Sequence, residues 1–186
     1  MACGQIRHSY AHCWRTKTPL IYRATPQWFI SMDQQGLLGK AKEAIKAVSW
    51  HPEWGQARIE GMLDGSPDWC ISRQLWWGHR IPVWYCADCD HVTVAIEDPD
   101  KCEACGSVNI EQDEDVLDTW FSSGLWPHST LGWPDKTADL DYFYPTAVLE
   151  TGYDILFFWI ARMVMMGMEN MGDVPFTTIY LHGLIR

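Results

Sequence analysis

Two short cysteine knuckles constrain this chain more than any other feature. Cys86-x2-Cys89 and Cys102-x2-Cys105 are separated by twelve residues. Each knuckle aims two sulfurs at one point, and two knuckles close the tetrahedron that a structural zinc ion requires. Gly106 follows the second knuckle, where a tight turn lets backbone amides approach the sulfurs. A disulfide framework is the competing reading. The odd total of seven cysteines and the lack of a secretory leader weigh against it. A closed four-sulfur site leaves no position for substrate, so it holds a fold together and any chemistry lies elsewhere.

The remaining composition narrows the class. A hydrophobic content of 47% with twelve tryptophans is that of a packed protein, and 186 residues allow one domain or two small ones. The formal charge of −10 argues against a protein that works mainly by wrapping nucleic acid, although a local basic strip is compatible with it. The longest apolar run, Ile155 to Met168, is interrupted by Arg162 and is too short to span a bilayer, so no membrane partner is expected. Reduced thiols and the absence of a leader or lipidation signal point to a cytoplasmic location.

Periodicity supplies the outline. Leu20-Ile21-Tyr22 and Trp28-Phe29-Ile30 read as short strands. From Gln34 to Val48 the pattern is helical, with Leu37, Leu38, Ala41, Ala44, Ile45 and Val48 on one face and lysines on the other. A second helix is expected from Pro52 to Leu63, with Gly65 just past its end. Trp69 to Ser72 is a compact strand candidate, and Val92 to Ile96 is a strand within the cysteine module. The polar stretch Gln112 to Asp115 suits a module boundary. In the last forty residues, Ala147-Val148-Leu149, a long apolar helix from Asp154 to about Met171, and Thr177 to Leu181 form the βαβ unit of a parallel sheet. Ligands bind beyond the C-terminal ends of such strands, here Thr151-Gly152-Tyr153-Asp154 and His182-Gly183. The bland alternative is that Gly152 is a turn and Asp154 a helix cap.

Several segments carry a resemblance. Asp68-Trp69-Cys70-Ile71-Ser72-Arg73-Gln74, with Trp77-Gly78, resembles a signature of the class I aminoacyl-tRNA synthetases for branched aliphatic amino acids. Asp115 to Pro127 and Thr151 to Met163 resemble the valyl-tRNA synthetases, and the match extends from Leu75 to Arg186. His12 to Pro19, Arg23 to Phe29 and Trp54 to Glu60 are more similar to the isoleucyl-tRNA synthetases. The change falls beside Trp69 to Gln74, a stretch both branches share; divergence, recombination and an artificial join remain open.

The resemblance implies an α/β fold: the second half of a Rossmann-like parallel-sheet catalytic domain with an inserted zinc-binding module. It divides the chain into a connecting region (1–66), a signature strand (67–81), the zinc insertion (82–112) and the catalytic half (113–186). It implies a parent enzyme that activates valine with ATP, assisted by Mg2+, and transfers it to tRNA(Val). An isoleucine-specific relative, or a stand-alone zinc module that grips tRNA or a protein, are the alternatives. Trp120, Ile155 and Trp159 match walls of the amino-acid pocket; Gly152 and Asp154 match the adenylate ribose site; His182 and Gly183 would lie near adenine; Arg73, Gln74 and Trp77 would border the site. No catalytic side chain is assigned. Cys86, Cys89, Cys102 and Cys105 are the expected zinc ligands, whereas Cys13, with Thr16 where a second cysteine would stand, reads as a lost site. The family's HIGH and KMSKS motifs do not occur here, and its editing domain would lie upstream, so the chain alone is expected to be inactive and to need the rest of the synthetase to fold. A valine-shaped pocket excludes isoleucine by size but admits threonine with only about 10²-fold loss, a figure established for valyl enzymes rather than a product of this sequence.

Overall fold

The computed structural model describes residues 3–185. Its centre is a parallel three-stranded sheet made of β2 (Ser49–His51), β9 (Thr146–Gly152) and β10 (Phe176–His182), with β10 in the middle. β9 and β10 run in register from Phe176 opposite Thr146 to His182 opposite Gly152. The expected βαβ unit is therefore present, and both strands end side by side. β2 was not expected: three residues are too few to show alternation. It pairs Thr178 with Ser49 and Tyr180 with His51.

The helices cover one face of this sheet. α1 (Leu37–Lys46) buries Leu37, Ala41, Ala44 and Ile45, as its 3–4 spacing demands. A 3-10 turn, Gln34–Gly36, precedes it, and positive φ at Gln35 and Gly36 separates that turn from the helix proper. α2 (Trp54–Leu63) begins two residues later than expected and stops before Gly65, which is left-handed at φ 69°. Both α1 and α3 (Thr119–Ser129) pack on α5 (Arg162–Asn170). Leu156, Ile160, Met163, Ile179 and Ile59 are fully buried between helices and sheet. The opposite face is open: Val148 and Tyr180 are more than half exposed, and Tyr180 is stacked on His51. Parallel sheets are ordinarily covered on both faces.

The expected long helix from Asp154 to Met171 is corrected in one respect. It is wound as a 3-10 turn (Tyr153–Ile155), a π segment (Leu156–Ala161) and then α5. Asp154 makes no capping hydrogen bond, because Gly152 holds the cap position with extended backbone. Leu20 to Tyr22 is not a strand; Ile21 and Tyr22 are solvent-exposed, and backbone pairing is limited to the Leu20 amide donating to Ala11 O beside a bridge between His12 and Pro19. Aromatic and β-branched content alone misled there.

The signature stretch splits at Ile71. β3 (Trp69–Cys70) pairs with β1 (Phe29–Ile30), while β4 (Ser72–Arg73) pairs with β8 (Val116–Leu117). Between β4 and β8 the chain makes an antiparallel sheet of β5 (Val83–Cys86), β6 (Val92–Val94) and β7 (Ile110–Gln112), with β5 central. The strand expected to reach Ile96 ends at Val94, and Ile96 is wholly exposed. A short α4 (Ala138–Phe143), capped by Thr137, leads into β9.

Gly167 sits at a tightly packed point of the core. A methyl group there would sit 2.5 Å from Tyr144 Oη and 3.1 Å from the Asp173 carbonyl oxygen. Tyr144 Oη donates to that same carbonyl at 2.8 Å. Gly167→Ala should therefore lower unfolding free energy by about 1–3 kcal/mol, read by thermal unfolding of the full-length protein that carries this chain; an unchanged midpoint would contradict the packing described.

Candidate functional site

The two knuckles are built alike. In the first, the Cys86 amide donates to His91 O and the Asp90 amide to Cys86 O. In the second, the Cys102 amide donates to Ser107 O and the Gly106 amide to Cys102 O. The residue after each second cysteine takes positive φ, 57° at Asp90 and 73° at Gly106. The two turns bring all four sulfurs within 4.8 Å of one another. Cys86 to Cys105 and Cys89 to Cys102 are each 3.6 Å apart. Sulfurs at the corners of a tetrahedron with metal–sulfur bonds of about 2.3 Å lie about 3.8 Å apart, and a disulfide needs about 2.05 Å. The donor set therefore fits a metal ion. Backbone amides of Cys105 and Ala104 hold the Cys102 thiol down to about 6. Asp88 clasps the second knuckle, accepting from Ser107 Oγ and Asn109 Nδ2. Among the described residues this is the one cluster of its kind, and Cys3, His8 and Cys13 do not join it.

A cavity of about 660 Å³ is lined by Trp120, Ser122, Ser123, Trp126, Ile155 and Trp159. The three side chains singled out by sequence thus share one wall system. α3 contributes Trp120 and the π segment contributes Trp159. Trp120 stacks on Phe158 at 5.7 Å between ring centroids, and Trp126 leans on Trp159 at 6.1 Å. The Trp159 indole N–H donates to the Ser123 carbonyl at 3.3 Å. Trp126, Ser122 and Ser123 were not singled out from sequence; helical spacing from Trp120 was the available signal for Ser123.

Beside this cavity the parallel strands end. Gly152 faces His182 across the β9–β10 ladder. A methyl group on Gly152 would lie 2.5 Å from Asp154 Oδ1, so the carboxylate folds directly over the glycine. His182 Nδ1 donates to the Gly183 carbonyl at 2.8 Å, and Gly183 is open to solvent. The result is an exposed backbone at Gly183, a buried Gly152 beneath one exposed carboxylate, and one imidazole, adjoining an aromatic pocket. Such a surface can hold a polar hydroxylated group at the strand ends with an apolar group beside it.

The remaining sequence candidates are distributed differently. Arg73 Nη2 is 2.9 Å from Asp118 Oδ2, behind the pocket wall. Gln74 donates to Asp115 Oδ2 and lines a separate polar cavity with Tyr85 and Asp113. Trp77 is 88% exposed and lines neither cavity.

Sequence reasoning missed Asp118 and Arg162. Asp118 is 6% exposed. Its carboxylate accepts from the Trp69 indole at 3.2 Å and from the Trp120 backbone amide at 3.4 Å, which caps α3. An acid immediately before an apolar helix is a legible cap signal. Arg162 is 7% exposed, with its guanidinium carbon 4.0 Å from the centre of the Trp69 ring and 4.9 Å from that of Phe157. Burial, only partly offset by Asp118, pulls Arg162 down to about 10, so it remains a cation at neutral pH.

The family profile of tRNA synthetases class I (I, L, M and V) matches residues 11–186. The valine--tRNA ligase of Thermotoga maritima is 55% identical over 182 residues, which is 96% of this chain and 21% of that protein. Those of Dehalococcoides mccartyi strain 195 and Symbiobacterium thermophilum are each 56% identical, over 96% and 95% of this chain and 20% and 19% of their own length. The chain thus spans about a fifth of the relatives it matches, and the alignments take in both the segment before Gln74 and the segment after it. Among solved structures, the free form of Mycobacterium tuberculosis methionyl-tRNA synthetase superposes with TM-score 0.63 at 18% identity, covering 97% of this chain and 31% of that one. The LeuRS–tRNA–LeuAMS complex of Agrobacterium radiobacter K84 gives TM-score 0.52 at 20% identity over 63% of this chain and 19% of that one.

Asp118→Ala should cost about 3–5 kcal/mol, because it strands buried guanidinium charge and removes a cap together. Asp118→Asn, which keeps the capping oxygen, should cost clearly less. Urea unfolding of both variants checks the order, and equal losses would contradict it.

Proposed function

We propose, since the chain belongs to the class I tRNA synthetase family, that it forms the second half of the catalytic domain of a valine–tRNA ligase, with valine, ATP and tRNA(Val) as substrates of the whole enzyme. The observation that carries this reading is the convergence of Trp120, Ile155 and Trp159 on one cavity beside the ends of β9 and β10. Relatives at 55–56% identity are valine--tRNA ligases, which supports valine over isoleucine.

In this reading the aromatic walls take the valine side chain. A pocket closed around valine excludes a further methylene by size, whereas threonine fits the same volume. Gly152 lets the adenylate approach the strand end, and the Asp154 carboxylate accepts a hydrogen bond from a ribose hydroxyl. His182 and Gly183 border the adenine, while Arg73 acts behind the wall and Gln74 and Trp77 stand at the margin. Valine carboxylate attacks the α-phosphate of ATP and pyrophosphate leaves; a hydroxyl at the tRNA 3′ end then attacks the carbonyl of the adenylate, the acyl–phosphate bond breaks and AMP leaves. These residues contribute alignment of the reactants, not a covalent or proton-transferring group. Mg2+ accompanying ATP would neutralise phosphate charge. Cys86, Cys89, Cys102 and Cys105 would hold zinc, whose role is to lock the inserted sheet.

The chain by itself should lack activity and require the rest of the synthetase to fold. One face of its parallel sheet is uncovered, with Val148 and Tyr180 facing water. No helix is long and apolar enough to cross a membrane, and the cytoplasm, where thiols stay reduced, suits a four-thiolate site.

Two measurements test this. ATP–pyrophosphate exchange by the full-length enzyme should respond to valine and hardly to isoleucine; a response to isoleucine alone would sink the valine assignment. Elemental analysis should find one zinc per module, lost with cooperative unfolding of that module in Cys102→Ser; a full zinc content in that variant would exclude the four-cysteine site.

A further inference from the structure

Pro127 lies inside α3, in its last turn, where a proline removes a helical hydrogen bond. Its ring nitrogen has no hydrogen to give to the carbonyl four residues back, which is that of Ser123. That carbonyl is not left idle. It points into the cavity wall and accepts the Trp159 indole N–H at 3.3 Å. Ser123 and Trp159 both line the cavity, and Trp126, the residue before the proline, packs against the Trp159 ring. Trp159 itself belongs to the π segment, whose wider winding is set by few local constraints. Two contacts bear on the orientation of its ring, the hydrogen bond to the Ser123 carbonyl and the packing of Trp126.

We propose that Pro127 is a specificity-determining positioning residue: by leaving the Ser123 carbonyl without a helical donor, it reserves that oxygen for Trp159 and so sets the depth of the amino-acid pocket. The inference rests on the reading of this cavity as the valine pocket. Pro127 touches no substrate and acts only through Trp159. An alanine at this place supplies an N–H that draws the Ser123 carbonyl back along the helix axis. The indole then loses its preferred acceptor, and the wall becomes free to retreat.

The test uses the full-length enzyme and ATP–pyrophosphate exchange. Pro127→Ala should leave the melting temperature unchanged or higher, because helix propensity improves. It should raise KM for valine about five- to tenfold with kcat changed less than about twofold, and lower the valine-over-isoleucine ratio by a similar factor. In a Trp159→Phe background, where no indole N–H remains, the same replacement should change KM less than about twofold. Loss of fold in Pro127→Ala would overturn the proposal, since the proline would then be structural. An unchanged KM and ratio in the folded variant, or an undiminished effect in the Trp159→Phe background, would overturn it as well. The unaltered enzyme separates this from the reading beneath it. If it exchanges with isoleucine and not valine, the valine assignment fails, and the same comparison made with isoleucine still decides the role of Pro127.

Discussion

Asp118 is the residue on which the arrangement of this chain turns. A carboxylate shielded from water is tolerable only when its oxygens are fully engaged. Here one oxygen takes the Trp69 indole and the Arg73 guanidinium, and the other takes the first turn of α3. Through Trp69 the cluster reaches Arg162, the first residue of α5. Three stretches of chain that sequence keeps far apart are thereby registered against one anion: the β3–β4 stretch, α3 and α5. Arg162 carries two nitrogens, Nε and Nη1, with no hydrogen-bond partner, so it is held by ring faces and by charge rather than by directed bonds. That leaves its position dependent on Trp69 and Phe157, and links the back of the pocket to the signature strand.

The inserted sheet is tied to the body by similar means. Asp113 accepts from the Trp28 indole at 2.8 Å and from the Tyr85 hydroxyl at 2.7 Å. Gln27 accepts from Ser72 Oγ, and the Trp28 amide donates to that same hydroxyl. Segments on the two sides of Trp69 to Gln74 thus share hydrogen bonds and a core. Their residues are matched to one another regardless of how the sequence arose.

What could be read beforehand depended on whether the signal was local. The knuckles were legible because four cysteines at fixed spacing leave little freedom, and the repeat of the same turn hydrogen bonds in both knuckles is a consequence of that spacing. The βαβ unit was legible because β9 and β10, seven residues each, carry the apolar runs Ala147 to Leu149 and Ile179 to Leu181 on either side of a long apolar stretch. Trp120, Ile155 and Trp159 were found by resemblance, since twelve tryptophans make any one of them look like core. Neither β2 nor the π segment was legible: one is too short to show a period, and the other differs from an α-helix by a winding no single residue type dictates. Leu20 to Tyr22 went the other way, with strand composition but a single backbone bond, from the Leu20 amide to Ala11 O, in place of a ladder. Asp118 and Pro127 could have been caught, the first as an acid before a helix and the second as a proline within one.

The place of β10 between β2 and β9 has a consequence for biosynthesis. β2 leaves the ribosome with no partner, because the strand it pairs with lies roughly 130 residues later, a wait on the order of ten seconds at ordinary elongation rates. During that interval Trp50, 4% exposed once folded, has no sheet to enter. β9 is equally unpaired until its neighbour appears. Of these three strands β10 is made last and joins the other two, so this part of the sheet forms late, and a nascent chain stalled before Phe176 would hold β2 and β9 without the strand they share.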